Sequence, residues 1–157
     1  MRHKERLETY LRENRVEFQV QPYPPAYTAQ EVAATEHVPG RMFAKVVMAM
    51  VNGNLTMLVL QAPDAVDLQK VAHALGANEV RLAAEDEFAP RFPDCEVGAM
   101  PPFGTLYNLP VYVDPALAEN ENIVFEAGAH IVTMLMKYAD FERLVQPKVV
   151  GLTNRTG

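Results

Sequence analysis

Apolar positions are densest at residues 41–61, where two apolar runs are joined by Asn52-Gly53. Asn-Gly favours the positive φ angles of a tight hairpin turn, so the flanking runs are expected to be paired strands. Nearly every residue of 46–51 is apolar, which predicts a strand covered on both faces and central in its sheet. Lys45 stands at its entrance, the last charge before Asp64.

The flanking patterns are shorter. Residues 3–15 alternate glutamate with arginine or lysine around a stripe of Leu7, Tyr10, Leu11 and Asn14, as in an amphipathic helix with a solvated outer face. A strand is predicted at 18–20, ended by Pro22, Pro24 and Pro25. Thr28-Ala29-Gln30-Glu31 has the form of a capping box, opening a short helix that Pro39-Gly40 breaks. Beyond the hairpin, Ala62-Pro63-Asp64 turns the chain, and Asp67 caps a helix closed after Leu75 by Gly76. Strands are expected at 79–83, 109–113, 123–126 and 130–136, with helical segments at 84–89, 115–118 and 138–145. Residues 151–157 are polar and are expected to be a loose tail behind a single domain over 1–150. The fold class is α/β, with a mixed, mostly antiparallel sheet and helices around it.

Composition narrows the function. A chain of 157 residues can bury a real core as one domain, and no apolar run is long enough to cross a membrane. The mixed-charge start lacks an apolar signal core, and Cys95 alone cannot form an internal disulfide, so a cytoplasmic location fits. A net charge of −6 argues against a broad phosphate-binding surface, though a local pocket can still grip one short end of a nucleic acid. The histidines and Cys95 lack metal-ligand spacing, so neither a metal nor a cofactor is expected. Without a Gly-rich phosphate loop or regular βαβ alternation, doubly wound nucleotide-binding folds are disfavoured.

Three features can carry chemistry. Lys45 is either a snorkelling lysine with a wet head or a cation aimed at an anion. Pro90, Pro93, Gly98, Pro101, Pro102 and Gly104 crowd a segment of a length uncommon inside a compact domain unless it has a task. Such a loop either stiffens a connection or presents backbone amides to a carbonyl oxygen. Gly128-Ala129-His130 places an imidazole after a glycine turn, where it meets either a substrate hydroxyl or a backbone carbonyl. Asp114 is a possible hydrogen-bond partner or a plain helix cap. No protein nucleophile stands out: serine is absent from the chain, and acidic neighbours blunt Cys95.

In this order, Phe43-Ala44-Lys45, Gly98-x-x-x-Pro102-x-Gly104, Val113-Asp114 and Gly128-x-His130 resemble the YbaK and prolyl-tRNA synthetase-associated editing domain family over residues 23–144. Members hydrolyse the ester between a wrong amino acid and its tRNA. The resemblance implies a mixed, partly barrel-like sheet surrounded by helices. It also implies that Lys45 holds the terminal phosphate or ribose of the acceptor end, and that the 98–102 loop lies near the ester carbonyl. His130 matches a histidine that contacts the terminal adenosine in alanine-clearing members. Val46 departs from those members that carry a polar residue after the lysine.

Catalytic roles are therefore expected of Lys45, Gly98 and His130, and substrate binding of Phe43, Met100, Pro101, Pro102, Gly104, Asp114 and Gly128. A size-limited pocket would be lined by Phe43, Met48, Met50 and Met100. The ester is already activated, so positioning and carbonyl polarisation suffice, with the ribose 2′-hydroxyl orienting water. The implied partner is the acceptor end of a misacylated tRNA, with an aminoacyl-tRNA synthetase as a further candidate and neither DNA nor membrane. A binding module without turnover, or a receptor for a small carboxylate metabolite, remains the rival reading.

Overall fold

The computed structural model describes residues 3–22, 40–130 and 132–153. Its organising element is the expected hairpin. Asn52 (φ 49°) and Gly53 (φ 80°) both take positive φ, joining strands β2 (Ala44–Val51) and β3 (Asn54–Gln61) in register from Ala44 opposite Gln61 to Val51 opposite Asn54. Around it lie β1 (Phe18–Pro22), β4 (Val80–Leu82), β5 (Val111–Val113), β6 (Asn122–Glu126), β7 (Val132–Lys137) and β8 (Lys148–Val149). The helices are α1 (His3–Glu13), α2 (Leu68–Leu75), α3 (Glu85–Phe88), α4 (Pro115–Ala118) and α5 (Tyr138–Val145).

The strands form two sheets, ordered β4-β2-β3-β5-β8 and β1-β7-β6. Among the described residues, parallel pairing is confined to β3 with β5 and β5 with β8, apart from one bridge, Phe43 to Val124, that joins the sheets. The mixed, mostly antiparallel α/β architecture is thus as expected, but the centre is not. It belongs to β3, buried along nearly its whole length, whereas Val46, Val47, Met50 and Val51 of β2 are only half-buried. The outer neighbour of β2 is the short β4, which pairs only with residues 49–51 and leaves the rest of that edge less covered.

Alternation along β2 serves two cores. Ala44, Val46, Met48 and Met50 pack into the main one, while Val47 and Ala49 join Leu58, Val71 and Leu152 in a smaller one. The main core is anchored by Phe103, which is fully buried against Phe125 (ring centroids 5.6 Å apart) and edge-on to Phe141 (5.4 Å). Leu7 and Leu11 of α1 are also fully buried. Two arginines of α1 have partners within the chain: Arg12 pairs with Glu8 at 3.2 Å, and Arg6 donates to the Leu106 carbonyl at 2.8 Å.

Local signals set several boundaries. The Asp67 side chain accepts from the Lys70 N–H at the start of α2, and Gly76 ends that helix at φ 62°. Two expectations are corrected. The segment from 151 is not loose where it is described, because Leu152 and Thr153 are buried. The Leu152 N–H donates to Asp114 at 2.9 Å, the Asp67 N–H to the Leu152 carbonyl at 2.9 Å, and Lys70 to the Thr153 carbonyl at 2.7 Å. His130 does not begin a strand either: it lies in the turn before β7, which starts at Val132. The capping box at Thr28 and Glu31 lies outside the described residues, as do residues 154–157. Among the described residues no helix is long and apolar enough to cross a membrane.

Candidate functional site

Where the two sheets meet, the start of β2, the end of β6, the loop after Glu96 and the turn after β6 enclose a pocket of about 340 Å³. Ala44, Lys45, Val46, Val97, Gly98, Met100, Glu126 and His130 line it. Its size is at the low end for small-molecule sites, about 300–1,000 Å³. Lys45, Gly98, Met100 and His130, expected at a site from separate stretches of the chain, therefore share one cavity.

Lys45 is half-buried, and its ammonium forms no hydrogen bond or ion pair among the described residues. Burial lowers its pKa from the ordinary lysine value, and the nearby Asp64 carboxylate pulls it back upward. A partly desolvated ammonium at a pocket wall gains more from an incoming anion than one in bulk water does.

The opposite wall is a lattice of polar contacts around His130. Its Nδ1 lies 2.7 Å from a Glu126 carboxylate oxygen and its Nε2 2.8 Å from the Val97 carbonyl oxygen. The His130 N–H donates to the Glu96 carboxylate at 3.1 Å. Backbone bonds complete the tie: Glu96 N–H to the Gly128 carbonyl at 2.7 Å, and Gly128 N–H to the Ala99 carbonyl at 2.9 Å. Burial works against charge on the imidazole, but the Val97 carbonyl and the Glu126 and Glu96 carboxylates outweigh it, and the pKa rises above 6.5. Gly98 (φ 84°) sits over the ring, since a Cβ placed there would lie 3.5 Å from His130 Cε1. Gly98 and Met100 both line the pocket, and the N–H of each is without a hydrogen bond among the described residues.

Behind the loop, Tyr107 donates its hydroxyl to Asp94 at 2.8 Å, and the Arg6 guanidinium lies 4.9 Å from the Tyr107 ring centroid. Phe92 packs on the same ring at 4.5 Å. Cys95 lies in this cluster, and burial pushes its thiol pKa up to about 12.

The other expected site residues lie elsewhere. Phe43 is fully buried at the bridge between the sheets, and Met48 is in the main core. Met50, half-buried, packs against that core and does not line the pocket. Pro101 and Pro102 are buried behind the loop tip. Gly104 is a packing residue, because an added Cβ would come within 2.8 Å of Val111 Cγ2 and 3.2 Å of Met57 Sδ. Gly128 (φ 96°) supports the loop through its backbone and does not line the cavity. Asp114 is a structural cap: it accepts from the Ala116 N–H at 3.1 Å and from Leu152 on its other oxygen. Of the two readings open for His130, the backbone-carbonyl contact is present, at Val97, and the other ring nitrogen meets Glu126. Sequence reasoning missed Glu126 and Glu96. The signal available was a carboxylate four positions before His130 across a glycine turn.

Residues 23–144 match the model of the aminoacyl-tRNA editing domain. The chain belongs to that family. The multifunctional Ser/Thr-tRNA deacylase ProXp-y of Escherichia coli K12 is 32% identical over 113 residues, which cover 69% of this chain and 67% of that protein. A proline–tRNA ligase of Acidithiobacillus ferrooxidans is 27% identical over 128 residues, 81% of this chain but only 22% of the ligase. A solved structure described as a proposed trans-editing enzyme for prolyl tRNA synthetase superposes with a TM-score of 0.84 at 20% identity, covering 98% of both chains, and so shares the fold. As a member of the editing family the chain is an aminoacyl-tRNA deacylase, the enzyme class expected from its ordered motifs.

Proposed function

We propose that the pocket receives the aminoacylated 3′ end of a misacylated tRNA and hydrolyses the ester of a small amino acid such as alanine. The observation that carries this reading is the meeting of Lys45, Gly98, Met100 and His130 in one cavity. Lys45 takes the terminal phosphate or the ribose. The Gly98 and Met100 N–H groups polarise the ester carbonyl, where charge develops as the tetrahedral intermediate forms. Water, oriented by the neighbouring ribose 2′-hydroxyl, attacks the carbonyl carbon. The bond to the ribose oxygen breaks, that oxygen takes a proton, and the free amino acid leaves. Dependence on a 2′-hydroxyl excludes DNA. His130 serves through the loop it holds rather than by donating to the ribose.

The name of the Escherichia coli relative favours a second reading of the amino acid, with serine or threonine as the side chain cleared. Small side chains differ too little for one binding step to separate them, which is the reason for editing in a second pocket. Acting on tRNA, the enzyme works in the cytoplasm, with an aminoacyl-tRNA synthetase as the source of its substrate.

The test is deacylation of tRNAs carrying Ala, Ser, Thr, Cys and Pro by the wild type and by Lys45→Ala. Selective loss of one or two esters, at least about a hundredfold slower in the variant, supports the reading. Binding of acceptor ends without turnover on any ester would make the pocket a recognition module instead.

A further inference from the structure

The sequence motifs leave out Glu126, yet it enters the pocket and touches His130. We propose that Glu126 is a positioning residue, which with His130 forms a latch that clamps the Val97 carbonyl and fixes the Gly98 loop over the pocket. The proposal rests on reading the cavity as an ester site, and it deepens that reading.

The argument begins with hydrogen-bond capacity. Both ring nitrogens of His130 face acceptors: Glu126 at 2.7 Å and the Val97 carbonyl at 2.8 Å. A neutral imidazole carries one N–H, so only the imidazolium satisfies both partners. Among the described residues, the carboxylates of Glu126 from β6 and Glu96 from the loop act on the ring and favour its charged form, while Lys45 from β2 lines the same pocket.

The loop tip depends on this clamp because it has little apolar burial to hold it. Val97 is 46% exposed and Gly98 is exposed beside it. When the imidazole loses its proton, one of the two contacts becomes a lone pair facing a lone pair. The tip then loosens, and the Gly98 amide loses its fixed direction, whereas Met100 beyond it stays anchored in the main core. Substrate anchoring by Lys45 on the other wall is untouched, so the loss falls on kcat more than on KM.

The experiment uses the full chain as wild type, Glu126→Gln and Glu126→Asp. Nuclear magnetic resonance follows the His130 ring and the exchange of the Ala99 and Gly128 amides across about pH 5 to 9. Deacylation is measured over the same range. In the wild type, the protection of both amides, taken relative to the base-catalysed intrinsic exchange rate, should fall as His130 loses its proton. In Glu126→Gln the ring should titrate about one unit lower, with kcat near neutral pH reduced about tenfold, KM nearly unchanged and the deficit recovered on acidification. Glu126→Asp should fall between the two.

An unchanged His130 titration in Glu126→Gln would overturn the proposal, as would a kcat deficit of the same size at every pH. If Glu126→Gln does not fold, the wild type and Glu126→Asp decide, because the coupling of amide exchange to ring titration must appear in both. If the wild type cleaves no tRNA ester, the reading of the pocket as an ester site fails. Titration and exchange, taken on the protein alone, then decide whether the latch exists.

Discussion

The two walls of the pocket are built by different forces. On one side Ala44, Lys45 and Val46 belong to β2, whose register with β3 runs unbroken along the hairpin and whose neighbours are mostly apolar. On the other side the tip of the loop is held by hydrogen bonds converging on His130, Glu126 and Glu96, with an exposed Val97 at its end. Apolar burial is indifferent to pH, whereas a hydrogen-bond network around an ionisable ring is not. On the proposed reading, the β2 wall would be the firm side that takes the acceptor end, and the loop wall the side whose order follows the protonation of His130.

The most severe way to break the contrast is to remove the apolar anchor that the loop does have. Phe103 follows the loop and packs on Phe125 and Phe141. Phe103→Ala should cost about 3–5 kcal/mol of stability, read as a lower urea midpoint. A cost below about 1 kcal/mol would mean that the loop is held by polar contacts throughout.

Gly104→Ala tests the boundary between core and site. The added methyl meets Val111 and Met57, so about 1–3 kcal/mol should be lost by overpacking. The His130 titration should not move. A shifted titration would place Gly104 with the polar wall instead.

The pH dependence separates the walls directly. A histidine whose pKa is raised by folding adds stability that is complete below its unfolded value, about 6.5, and lost as pH rises through the higher folded value. The difference in urea midpoint between wild type and His130→Gln should therefore be largest in mild acid and shrink toward alkaline pH. A difference that grows with pH would contradict the charged latch.

The smallest expected effect concerns Cys95, behind the loop. With its thiol pKa pushed up to about 12 by burial, it should resist alkylation at neutral pH in the native protein and react once the chain is unfolded in urea. Rapid native labelling would show that the Asp94–Tyr107 cluster opens readily. The loop would then be loose at its base as well as at its tip.

The elements legible in the chain are those coded by short-range chemistry. Asn52-Gly53 dictates a two-residue turn, Asp67 and Gly76 bracket α2, and the 138–145 pattern gives α5 at the observed bounds. The order of the motifs around Lys45, Gly98 and His130 along the chain likewise points to the editing family. The misses have long-range causes. Asp114 reads as a cap or a ligand until Leu152, 38 positions away, is seen to occupy its other oxygen. Gly104 resembles a loop glycine until Val111 and Met57 close on it.

The sequence by itself therefore determined the hairpin, the bounds of α2 and α5 and the family, because each rests on neighbours a few residues apart or on an order of motifs along the chain. Only the tertiary structure decided which of the motif residues share a cavity, that β3 rather than β2 is central, and that Glu126 pairs with His130. Those outcomes depend on how two sheets close against each other at Phe43 and Val124, and no local pattern encodes that closure.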